Sequence, residues 1–185
     1  MIISFASIVF YGLIFNPPTA SQPVTQPART AEAGPSSTDA HPSTPARSNW
    51  QYQEQKDKMR NQTTRYASLE SDNQLSFDFP YNGGSTGKLL LRISPKYGKN
   101  VILEVDKGQF LCSFEGCTVH VKFDNQPIVS YGVAEAADGS SNVVFIHNYA
   151  GFVKQLRQAK KLTIEAQFYQ GGSRQLEFSP AGLNW

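Results

Sequence analysis

The chain has 185 residues, a formal net charge of +2, 39% hydrophobic residues and two cysteines. That length holds one domain of common size plus appended segments. The charge is nearly balanced and both signs are mixed, without the concentrated basic face of a nucleic-acid binder, so no nucleic-acid partner is expected.

The first element is apolar: Ile2 to Phe15 reads IISFASIVFYGLIF. A bilayer span takes roughly 20 residues and the hydrophobic region of a signal peptide about 7–15. Residues 1–15 are therefore expected to be a signal peptide or a short membrane anchor, and between cleavage and retention the sequence leaves both open. Residues 16–49 are rich in Pro, Ala, Ser and Thr, with Val24 as their single bulky aliphatic residue and no aromatic. Such a segment buries too little apolar surface to offset its ordering entropy. Its proline content favours extended backbone, so a disordered spacer is expected.

From Trp50 the pattern changes, and residues 50–185 are expected to form one domain. Leu89, Leu91 and Ile93 alternate with Leu90, Arg92 and Ser94; Val101, Leu103 and Val105 alternate with Ile102, Glu104 and Asp106. The same period of two runs through Val119, Val121 and Phe123, and through Leu162, Ile164, Ala166 and Phe168. It marks half-buried antiparallel strands. Turn signals separate them: Asn82-Gly83-Gly84, Tyr97-Gly98-Lys99, Lys107-Gly108, Asn125-Gln126-Pro127, Asp138-Gly139 and Gly171-Gly172. The expected fold is all-β, an antiparallel β-sandwich of about nine to eleven short strands. A single short helix is expected over 149–158, where Tyr149, Phe152, Val153 and Leu156 follow helical spacing after Asn148 as N-cap.

Cys112 and Cys117 lie between two predicted strands, with Gly116 near the end of the loop. A hairpin there brings them within disulfide reach, and a disulfide implies an oxidising compartment. No second cysteine pair or nearby His completes a zinc site, so no metal is expected. His41, His120 and His147 share no ligand spacing, and no nucleophile elbow, phosphate loop, dinucleotide fingerprint or zinc-protease helix occurs in the sequence. Neither cofactor nor catalysis is expected.

Two sets of charged residues remain. Arg92 interrupts an apolar strand and needs a partner if covered; Asp124, closing a later strand, is the candidate for a structural ion pair with it. Lys154, Arg157, Lys160 and Lys161 gather near the end of the predicted helix, where cations suit its dipole, and form a candidate partner-contact patch. Tyr52, Tyr66, Tyr81, Tyr97 and Tyr131 are candidate surface aromatics.

The order of these segments resembles a known group. Trp50-Gln51-Tyr52 opens the domain, followed by Ser71-Asp72-Asn73, Leu89-Leu90-Leu91-Arg92, Phe123-Asp124 and Phe145-Ile146. The strand from Lys161 to Phe168, then Phe178 and Gly182-Leu183, complete it. This is similar to the TagO or VasI-like envelope β-sandwiches associated with bacterial type VI secretion, and to an uncharacterised family of proteobacterial and prophage proteins. The resemblance spans about residues 50–183 and implies no catalytic residues. The function expected is a non-catalytic binding or accessory module of the bacterial envelope, exported and either periplasmic or anchored in the inner membrane of a Gram-negative cell, whose partner is another envelope protein. A prophage exclusion or host-takeover factor and a cell-wall enzyme are the alternatives.

Overall fold

The computed structural model describes residues 48–112 and 116–185. The expected signal or anchor over 1–15, and the expected spacer except for Ser48 and Asn49, lie outside the described residues.

Among the described residues nine strands and one helix follow in order: β1 (Gln51–Asp57), β2 (Gln62–Phe77), β3 (Gly83–Ser94), β4 (Gly98–Val105), β5 (Cys117–Phe123), β6 (Val129–Glu135), β7 (Val143–Ile146), α1 (Tyr149–Leu156), β8 (Leu162–Phe168) and β9 (Gly172–Phe178). The fold is all-β, as the period-two pattern predicts. β2 and β3, at 16 and 12 residues, are longer than the short strands expected. No helix among the described residues is long and apolar enough to cross a membrane.

The strands form one continuous antiparallel sheet in the order β1-β2-β3-β4-β7-β6-β5-β8-β9. The sandwich arises because this sheet folds over on itself. Phe77 of β2 packs on Phe168 of β8 with ring centroids 5.1 Å apart. Gly87 of β3 lies so close to β9 that a Cβ there would sit 2.6 Å from the Leu176 Cδ2. Between the layers lie Leu89, Leu91, Leu103, Val121, Ile164, Leu176 and Phe178, all fully or nearly fully buried. The first five are apolar members of the alternating runs, Leu176 and Phe178 come from β9, and their removal from water is the main stabilising term.

The helix closes one end of this core. Phe152 is fully buried and meets Phe123 and Tyr131 edge-on, each at 5.4 Å. Asn148 caps α1 from a left-handed conformation, its Oδ1 accepting from the Gly151 amide at 3.2 Å. A Cβ at residue 151 would clash with that side chain at 2.5 Å, which explains the glycine.

The folded sheet meets itself along β2, next to one edge, and β9, the other edge, and side chains join them. The register of β2 against β3 shifts between Glu70 and Gln74, and three polar residues lie inside the bulge. Asn73 donates to the Gln175 carbonyl at 2.9 Å and accepts from the Glu177 amide at 2.8 Å. Its carboxamide thereby offers β9 the donor and acceptor that a neighbouring strand would supply. Ser71 accepts from the Gly87 amide at 2.9 Å, and Asp72 accepts from the Ser179 hydroxyl at 2.7 Å. Further along, the Trp50 indole donates to the Pro180 carbonyl at 2.9 Å. β1 lies beyond this closure, and six of its seven residues are exposed.

Candidate functional site

Residues that alternate with the core ones form the outer face of β1–β4 and β7. Strand register aligns them in rows. Gln53, Tyr66, Arg92 and Asn100 form one row across β1 to β4. Gln51, Ser68, Leu90, Ile102 and Phe145 form the next, reaching β7. Glu70, Lys88, Glu104 and Val143 form a third. The middle row is apolar from Leu90 to Phe145, and Ile102 is only 5% exposed although it points away from the core. A shallow concavity of about 740 Å³ lies over this face, lined by Gln51, Gln53, Tyr66, Leu90, Lys88 and Glu104 among others.

Arg92 is the fixed centre of the face. Its Nε and one terminal nitrogen both donate to the Asn100 Oδ1, at 3.0 and 2.8 Å. Its guanidinium carbon lies 4.9 Å from the Tyr97 ring centroid and 5.6 Å from that of Phe145. The side chain is half-buried, so Arg92 does need the partner that its place in an apolar strand calls for. The expected partner is corrected. Arg92 and Asp124 do not pair, because Arg92 lies in β3 and faces Asn100 across the β3–β4 hairpin, while Asp124 follows β5. The Asp124 Oδ1 instead accepts from the amides of Lys160 and Lys161 at 2.9 and 2.8 Å, which ties the entry of β8 to the end of β5. Asn100 was legible as a partner: the hairpin turns at 95–97, and pairing outward from Ser94 with Gly98 sets Arg92 opposite Asn100. Tyr97 and Phe145 carried no such signal, since their approach to Arg92 depends on side-chain direction and on the β4–β7 pairing.

The other sequence-singled residues disperse. Arg157 donates to the Trp185 carbonyl oxygen, and Lys161 pairs with Glu177 at 2.8 Å. Lys154 and Lys160 are exposed. Two members of this basic group are thus engaged within the domain. Among the tyrosines, Tyr131 is buried and its hydroxyl accepts from Gln155, Tyr66 and Tyr81 are half-buried, and Tyr52 and Tyr97 are exposed.

Cys112 and Cys117 are joined, with Cα atoms 4.7 Å apart. The expected hairpin is corrected. The preceding segment pairs with β8 rather than with β5: Phe110 bridges Phe168, and the Leu111 amide donates to the Gln167 carbonyl at 2.8 Å. β5 then pairs with the same strand at His120–Glu165. Far more chain lies between Phe110 and His120 than between their two partners, and the disulfide joins two points of that longer stretch. Residues 113–115 lie outside the described residues. The bond suits an oxidising compartment.

A second concavity, of about 510 Å³, lies on the outer face of β5, β8 and β9, lined by His120, Lys122, Ile128, Glu165, Gln175 and Glu177. His120 Nδ1 lies 3.0 Å from the Ser130 hydroxyl, and Gln175 donates to Glu165 at 2.8 Å. No cluster of three or more His, Cys, Asp or Glu suited to a metal occurs among the described residues. The shifted titrations have local causes. The Arg60 side chain holds Asp57 below the usual carboxylate range, the Ser140 hydroxyl does the same for Asp138, Lys96 lowers Tyr97, and burial raises Tyr131.

No protein-family model and no curated protein matches the chain. Among solved structures the chain is similar to invasion associated protein B of Bartonella henselae, at 14% identity and a TM-score of 0.43, over 72% of this chain and 85% of that one. At that score no residue role or activity carries across.

Proposed function

We propose that the domain is a non-catalytic binding module of an exported bacterial envelope protein, periplasmic or anchored in the inner membrane of a Gram-negative cell. It holds a protein partner on the outer face of β1–β4 and β7, around Arg92. The observation that carries this reading is the fixed guanidinium between the Tyr97 and Phe145 rings. Interfaces concentrate their binding energy in Arg and aromatic anchors set among apolar neighbours and ringed by polar groups. Here Leu90 and Ile102 supply the apolar neighbours, and Gln51, Gln53, Lys88 and Glu104 the rim. Because Asn100 and two rings already hold Arg92, little side-chain entropy remains to be lost on binding. The disulfide supports the exported setting, and the family proposed is that of the secretion-associated envelope sandwiches, on the order of segments in the sequence alone.

The test is affinity capture from bacterial envelope extracts with the full chain and its Arg92→Ala and Phe145→Ala variants. A protein retained by the parent chain should be lost by both, with binding weakened by about 2 kcal/mol or more. Arg92→Lys keeps the charge without the planar fork and should fall between. Equal retention by all four folded proteins refutes the assignment.

A further inference from the structure

The β1–β2 and β3–β4 turns stand side by side at one end of the sheet. Thr64, just past the first turn, donates to the Ser94 hydroxyl oxygen at 3.1 Å, just before the second. Between them lies a concavity of about 630 Å³ lined by Lys56, Arg60, Thr64, Pro95, Lys96 and Tyr97 among others.

The first turn is organised by Asp57. Its Oδ1 accepts from the Met59 and Arg60 amides at 2.9 and 3.1 Å, and its Oδ2 pairs with Arg60 at 2.9 Å. Asn61 completes the turn in a left-handed conformation, with φ of 55°. Met59 is held at the tip and is 93% exposed, flanked in sequence by Lys58 and Arg60. In the second turn Tyr97 is 55% exposed, and the Lys96 ammonium lies 4.7 Å from its ring centroid. Among the described residues the ion pairs are Arg60–Asp57 and Lys161–Glu177. Lys56, Lys58, Lys96 and Lys99, all exposed, therefore carry charge that no carboxylate answers.

We infer that these two turns are a contact site for an anionic phospholipid surface. The occupant follows from charge and exposure together. Lysines on protruding turns are drawn to anionic headgroups, and a side chain such as Met59, costly to leave in water, gains by entering the headgroup–acyl boundary. Tyr97 has the amphipathic ring that settles at that interface. β1, nearly all exposed, lifts the first tip clear of the core. Tyr97, whose ring also meets the Arg92 guanidinium, borders the partner-binding face; Lys58, Met59 and Lys96, on which the test rests, do not belong to that face, so failure here leaves the partner-binding reading standing.

The experiment uses the full chain and vesicles of phosphatidylcholine alone or mixed with phosphatidylglycerol. Flotation measures partitioning, and emission from a Met59→Trp variant, read against the parent chain, reports whether the tip itself enters the bilayer. Binding to the mixed vesicles should weaken as salt rises. Neutralising Lys58 and Lys96 to Gln should reduce it about fivefold per charge, and Met59→Ser should reduce it further. Circular dichroism confirms that each variant is folded, and substitution of exposed turn residues leaves the core untouched. An unshifted Met59→Trp emission on phosphatidylglycerol vesicles overturns the inference. So does equal binding by the Lys58→Gln/Lys96→Gln variant. Salt-sensitive retention on duplex DNA without vesicle binding would assign the turns to nucleic acid and equally overturn it.

Discussion

Asn73→Ala tests the closure of the folded sheet. Asn73 makes two hydrogen bonds to the backbone of β9, one part-buried at 2.8 Å and one exposed at 2.9 Å. A part-buried bond of this kind contributes about 1 kcal/mol and an exposed one about 0.5. Truncation also leaves the Glu177 amide without its acceptor, adding up to about 1 kcal/mol where water does not replace it. The expected loss is about 2 kcal/mol, read as a lower urea midpoint with an unchanged slope. Asn73→Asp keeps the acceptor but sets a carboxylate against the Gln175 carbonyl, and should lose at least as much. Native-state hydrogen exchange supplies the local readout: protection of the Glu177 amide should fall in both variants, while amides in the β3–β4 ladder keep theirs until global unfolding. A loss below about 0.5 kcal/mol, with Glu177 as protected as before, would mean that the seam is held by core packing alone.

Replacing both Cys112 and Cys117 by Ser should cost roughly 2 kcal/mol, the loop-closure value for so short a loop; a calorimetric scan with and without reductant checks it. Gly87→Ala should cost about 1–3 kcal/mol, because the added methyl meets the fully buried Leu176. In a Leu176→Ala background most of that cost should vanish, and a double-mutant cycle by urea unfolding measures the coupling. Asp57, held down by Arg60, should titrate below its ordinary value of 3.8 when followed by carboxyl NMR, and should return towards it in Arg60→Ala. Since its folded pKa is depressed, any stability it confers is present above the unfolded value and is lost as pH falls through the folded one.

The alternation of apolar and polar residues made the β class, the strands β3, β4, β5 and β8, the helix at Tyr149 and most turns legible, because side-chain period and turn chemistry are local properties of the chain. The disulfide partners were legible too, since there are only two cysteines and their separation is short. Global pairing was not. Nothing local distinguishes two separate sheets from one sheet folded over, or reveals that the residues before Cys112 pair with a strand nearly sixty positions later. The same limit misdirected Arg92. Its need for an acceptor followed from an Arg set in an apolar strand, but charge complementarity favoured the distant Asp124 over the neutral Asn100 that hairpin register places opposite. Ser71-Asp72-Asn73 entered the sequence reading only as one segment of the family resemblance; that it closes the sheet depends on where β9 arrives. Patterning fixes which face of each strand is buried. Only tertiary structure decides which strands become neighbours, because that choice is made by long-range packing and by the few polar side chains left to satisfy the backbone where the sheet meets itself.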